Sequence, residues 1–321
     1  YLMRRSTMTG GLYSYTKEAF GRDHAFLSAW FLCLSYLTIV FLNSTALFFV
    51  VRILFSTTAQ SGFHYSIAGN TIYLGEAIVS VLVLVAVGVL YVVAKPALQK
   101  IMTVLALTLF AGVLITSLFC IPDVIRSGAF MDFGTRGISP AYAIFSLIIL
   151  APWAFVGFET VSFDTAHFDF PIRNNRKIII TAIIATAFAY TSMTFVSIAC
   201  LPEGFSSWQE YINALDSLNG VASVPTFYAA RCIMGKSGLI IMTITAIASI
   251  MTGIIGGYRA TTRVLSTMAE DHILSEKFSE TTFSIVFIMA LSILLSLLGR
   301  NTLNWFVDLT SFGAIVGFGY T

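Results

Sequence analysis

Glu159 stands out first, a carboxylate near the end of a stretch otherwise built to cross a bilayer. From Ser139 to Lys177 the chain reads SPAYAIFSLIILAPWAFVGFETVSFDTAHFDFPIRNNRK, with Pro152, Trp153 and Gly157 just ahead of Glu159. An ionisable group near the bilayer centre costs about 2.5–3.5 kcal/mol even on the lenient insertion scale, so it usually faces protein or a water-filled cavity. Proline removes a helical hydrogen bond and glycine lets the backbone open. A broken helix is tolerated at membrane depth only where its freed backbone lines a cavity or is buried in protein. The combination predicts a membrane helix interrupted at a binding site. The competing reading is a kinked but continuous helix with Glu159 at its cytoplasmic end.

Other chemistry is sparse. Tyr36, Val40 and Asn43 share one helical face by their spacing, where they line a pocket or simply bond neighbouring helices. MGKS at 234–237 imitates the end of a phosphate-binding loop, but Ala230 stands where the first glycine is required. His24, His64, His167 and His272 are scattered, with no paired ligands, so no metal site or cofactor is expected. No nucleophile–base set exists, and the chain is not read as an enzyme.

Composition supplies the setting. Of 321 residues, 57% are apolar and 11% charged, with a mean hydropathy of +0.86. Soluble domains carry about 25% charged residues. A net charge of +2 with scattered basic residues excludes nucleic acid as a partner; the lipid bilayer is the expected one. Nothing in the sequence sets an oligomeric state. Four cysteines do not make a disulfide framework. A Cys200–Cys232 bridge is conceivable, but buried free thiols are the favoured reading.

The elements that must position Glu159 follow from the charges, which punctuate the chain. Spans are predicted at about 25–51, 77–94, 101–122, 139–168, 178–202, 237–262, 281–299 and 303–321, each near the roughly 20 residues needed to cross the hydrocarbon. Residues 1–24 read as a short polar or interfacial helix, and SSWQEYINALDSL as a short helix on the outer surface with Trp208 and Tyr211 at the interface. Twelve of the 18 Lys and Arg fall in 1–24, 95–100, 169–177 and 259–280. The positive-inside rule therefore places 1–24, 95–100, 169–177 and 263–280 in the cytoplasm, with the spans in the cell membrane. The whole chain, 1–321, reads as a single transmembrane domain, all-α, trimmed at both ends.

Four segments resemble the amino acid–polyamine–organocation (APC) superfamily of permeases. GGLYSYTKEAFGR at 10–22 is similar to the segment after their second span, and PWAFVGFETVS at 152–162 to their broken sixth. RVLSTMAEDHILSEKF at 263–278 is similar to the tail of their eighth span, and WFVDLTSFGAIVGF at 305–318 to their tenth. The resemblance implies a LeuT-like inverted repeat of five plus five helices around a midplane site. The predicted spans would be the third to the tenth, with the first and the last two missing. It implies a secondary active transporter for an amino acid or related amine, working by alternating access with proton coupling or exchange. A transporter-like solute sensor, signalling through a further domain, is the alternative.

Carried over by position, Trp153 is the aromatic gate, and free carbonyls around Trp153, Ala154, Val156 and Gly157 bind the substrate ammonium. Tyr36, Val40 and Asn43 line the side-chain end. Glu159 holds a proton or organises the break, and Thr252 lies where relatives place a hydroxyl near a cation. Arg263 and Asp271 are structural or gating. The chain departs from the family pattern in three places. Span five lacks the midway Lys of some proton-driven relatives. The segment after span six keeps Pro171 and Arg173 but loses the second proline. The tail of span eight has His272 for Gly, Ser275 for Pro and an extra Arg259.

Overall fold

A computed structural model describes residues 10–55, 62–67, 70–129, 139–167, 174–218, 220–298 and 303–320. Ten α-helices run through these residues. They are α1 (Leu12–Phe20), α2 (Arg22–Phe55), α3 (Leu74–Val93), α4 (Lys95–Ser127), α5 (Pro140–Phe155), α6 (Asn175–Ser197), α7 (Trp208–Ala214), α8 (Pro225–Glu270), α9 (Thr281–Ser296) and α10 (Leu303–Gly319). Six stretches are long and apolar enough to cross a membrane, the fourth being Pro140–Phe163 with the 3-10 continuation of α5; α9 and α10 are shorter apolar helices. Pro171 and Arg173 lie outside the described residues.

Boundaries follow local chemistry. Pro96, which has no N–H to donate, stands in the first turn of α4 after the α3 ladder closes on Ala94 N–H to Leu90 O at 2.9 Å. Ser139 caps α5 by accepting from Tyr142 N–H at 3.2 Å. Helix α8 bends at Gly235, where φ is 66°. It ends in two return bonds, Ile273 N–H to Met268 O and His272 N–H to Ala269 O, both 2.9 Å. This is the Schellman pattern, with His272 as its left-handed residue at φ 56°.

The core is built on α2 and α8. Leu32, Tyr36 and Val40 pack with Ile254, Tyr258, Leu265 and Met268, joined by Leu84 and Val87 of α3 and Ile285 and Ile288 of α9. Hydroxyls fasten helix to helix: Tyr258 donates to Leu84 O at 3.1 Å, Ser80 to Ser44 O at 3.0 Å and Ser35 to Thr310 O at 3.0 Å. Such bonds carry weight where lipid supplies no hydrophobic drive between helices. Large apolar side chains instead cover the outside of α4 and α5, with Leu118 72% and Leu147 69% exposed.

Three features between helices differ from expectation or add to it. His64–Ile67 and Asn70–Tyr73 form an antiparallel hairpin from residues that favour strands; Tyr65 donates to Leu297 O at 2.8 Å, docking it on the end of α9. The expected outer helix is present as α7, but Trp208 and Tyr211 turn inward and are buried. Burial pushes the Tyr211 phenol up to about 12, and its hydroxyl donates to Ala222 O at 2.7 Å. Cys200 and Cys232 are joined in a disulfide, which corrects the free-thiol reading. The turn after α6 and the first turns of α8 lie side by side, with the two Cα atoms 6.6 Å apart, a proximity no sequence spacing reveals. Cys33 and Cys120 are buried free thiols.

Candidate functional site

The helix through Glu159 is broken. α5 runs through Pro152 and ends at Phe155. Val156 leaves helical geometry at ψ 136°, and the chain resumes as a 3-10 helix over Phe158–His167. Gly157 turns the corner at φ 119°, a conformation side chains rarely adopt. The break thus falls at Val156–Gly157, beyond the proline, and the continuous-helix alternative does not describe this chain.

Several of the groups freed by the break have partners. The Gly157 N–H donates to both carboxylate oxygens of Glu159, at 2.9 and 3.1 Å. Tyr36 O–H donates to Glu159 Oε1 at 2.5 Å across 123 residues of sequence. Both side chains are buried, Glu159 at 7% and Tyr36 at 1% exposure. From its place in the first 3-10 turn, Glu159 thus ties the broken backbone to α2. Thr160 Oγ donates to Gly157 O at 2.5 Å, and Tyr190 of α6 donates to Ala154 O at 3.0 Å.

The sequence-derived residues therefore divide. Tyr36, Gly157 and Glu159 meet, and Trp153, Ala154 and Val156 lie half-buried around them. Val40 and Asn43 are at the α2–α8 contact: Val40 Cγ2 stands 2.5 Å from where a Gly257 side chain would begin, and the Asn43 amide 2.4 Å from the same point on Gly253. Thr252 donates into its own helix, to Ala248 O at 2.9 Å and Ser249 O at 2.8 Å. Tyr190 and Thr160 were missed. Tyr190 could have been noticed as a phenol inside an apolar run, which needs an acceptor.

A second cluster ties α1 to the end of α8. Tyr13 and Lys17 each donate to the Asp271 carboxylate, and Arg22 Nη2 donates to Asp271 O at 2.7 Å. The Lys17 and Tyr13 donors hold the Asp271 carboxyl below the usual aspartate range, while burial and the Asp271 bond raise the Tyr13 phenol.

The four motif segments thus converge. A Cβ on Gly11 would stand 2.5 Å from the Ser162 hydroxyl and 2.7 Å from the Phe163 ring, so the glycine pair lets α1 abut the 3-10 segment. Phe163 in turn meets the Tyr36 ring edge-on at 6.5 Å, and Phe158 packs 5.5 Å from Phe318 of α10. A multi-pass helical bundle with one broken, carboxylate-bearing helix is the architecture of a membrane transporter. The family model for amino acid permeases matches residues 3–320, so the chain belongs to that family, within the APC superfamily. No curated protein matches the chain.

Proposed function

We propose that the Tyr36–Glu159–Gly157 junction is the centre of a substrate site in a secondary active transporter for an amino acid or related amine. The observation that carries this is the interruption at Val156–Gly157, held by a buried carboxylate that a second helix also grips. Alternating access would work within the five-plus-five inverted repeat, α2 to α6 and α8 to α10 being its third to tenth spans. Trp153 acts as the gate over bound substrate, its indole offering a rigid face that attracts cations. The carbonyls around the break receive the substrate ammonium, and Glu159 carries the coupled proton. The disulfide adds support for the sidedness read from the Lys and Arg distribution: it lies at the face assigned to the exterior, where disulfides persist.

The test is uptake of labelled amino acids into proteoliposomes holding the full-length protein, with and without an imposed pH gradient. Glu159→Gln is expected to abolish gradient-driven uptake, and Trp153→Ala to weaken substrate affinity. Unchanged transport and affinity in Trp153→Ala would overturn the site assignment.

A further inference from the structure

The two halves of the broken span rest on different neighbours. α5 has no buried residue and packs against α10, whereas the 3-10 segment that continues it packs against α6 and α1. α6 also reaches back over the break. Its Tyr190 donates to Ala154 O at 3.0 Å, with the phenol ring tilted 6.1 Å from that of Phe155. In an unbroken helix Ala154 O would accept from the Phe158 N–H. With Val156 at ψ 136° and Gly157 at φ 119°, that N–H leaves the ladder, and the phenol supplies a donor in its place. Other hydroxyls of α6 stay at home: Thr194 donates to Tyr190 O and Ser197 to Thr194 O. The Tyr190 hydroxyl crosses to another element, and it lands between Trp153 and Val156.

We propose that Tyr190 is a positioning residue: its hydroxyl pins the end of α5 to α6 across the break and so sets the direction of the carbonyls around Trp153, Ala154 and Val156. The inference rests on the substrate site proposed above, in which those carbonyls meet the ammonium. The peptide unit is planar, so holding the Ala154 oxygen also fixes the plane it shares with the Phe155 N–H. A substrate that meets an already ordered rim does not have to order it on binding. Loss of the bond therefore shows as weaker affinity, with turnover at saturation kept. Tyr190 acts through the backbone and need not touch the substrate.

Uptake by the full-length protein in proteoliposomes tests this, each tritiated protein amino acid being tried in turn and the one taken up fastest serving as the probe. Tyr190→Phe keeps the ring against Phe155 and deletes the hydroxyl, at a position 46% exposed where the change is mild. It is expected to raise the half-saturating concentration about threefold, the size of one lost hydrogen bond between membrane helices. The maximal rate and the melting temperature should stay close to wild type. In the protein without substrate, amides in the last turn of α5 should exchange faster and those of α10 should not. Tyr190→Ala, which removes the ring as well, should do no less. The inference fails if Tyr190→Phe leaves half-saturation or α5 exchange at the wild-type value, or if Tyr190→Ala alone has an effect. It fails equally if melting temperature and maximal rate fall while half-saturation holds, as a purely structural tyrosine would give. Trp153→Ala, run alongside, separates the two readings. Affinity weakened by Trp153→Ala but not by Tyr190→Phe would count against the tyrosine alone. A silent Trp153→Ala, with both Tyr190→Phe effects present, would count against the site and for the tether.

Discussion

At the scale of single residues, Glu159 does what an acidic group in an apolar helix has to do: it finds donors. Losing the Tyr36 bond leaves a buried carboxylate one donor short, at about 2 kcal/mol. Tyr36→Phe should therefore lower thermal stability in detergent and weaken substrate binding together. A variant that lost stability but kept wild-type affinity would detach Tyr36 from the site. His272 offers the opposite case. It occupies a left-handed position that costs a residue with a side chain about 1 kcal/mol, and the family pattern has glycine there. His272→Gly is expected to raise the melting temperature by a degree or two, readable in a thermal scan. The carboxylate and its glycine were visible in the sequence because their types are wrong for an ordinary span. Their bonding was not, since Tyr36 reaches Glu159 only through the packing of α2 against the break.

At the scale of elements, two clamps hold helix ends. Arg52 at the end of α2 makes a two-pronged pair with the fully buried Glu76 at the start of α3, at 2.8 and 3.0 Å. Removing the cation strands that carboxylate, so Arg52→Ala should destabilise by about 3 kcal/mol; Arg52→Ala with Glu76→Gln should recover much of the loss. The Cys200–Cys232 bridge closes a loop across 32 positions, worth about 3–4 kcal/mol by chain entropy. Reduction, or Cys200→Ser with Cys232→Ser, should lower the unfolding temperature by several degrees without altering the helices seen by circular dichroism. Helix existence was legible from runs without charge between ionisable residues. Element ends were less so: α2 reaches Phe55 and α4 reaches Ser127, because helices continue past the hydrocarbon wherever caps and neighbours accept their backbone. Pro152 pointed to the break without marking it, since a proline can be absorbed within a helix while a residue at φ 119° cannot.

For the whole molecule, the Asp271 cluster joins the first described helix to the far end of the longest one. Its folded-state carboxyl titrates below the ordinary aspartate value, so its stabilising contribution is complete above about pH 4. That contribution fades as pH falls through the depressed folded value. Protection of the α1 amides, taken against the intrinsic exchange rate at each pH, should therefore fall on acidification, and Asp271→Asn should show the reduced protection already at neutral pH. The four distant motifs were the most informative thing the sequence held, yet only their order along the chain could be read there, not their convergence on one region. Which of them touch depends on the bundle. The bend at Gly235 has a mechanical corollary, because it lies three positions after the disulfide-bonded Cys232. The covalent link ties the short leading piece of α8 to the turn that follows α6, while the longer remainder begins beyond the non-helical glycine. What counts as one helix is thus two pieces with different anchorage, divided at residue 235.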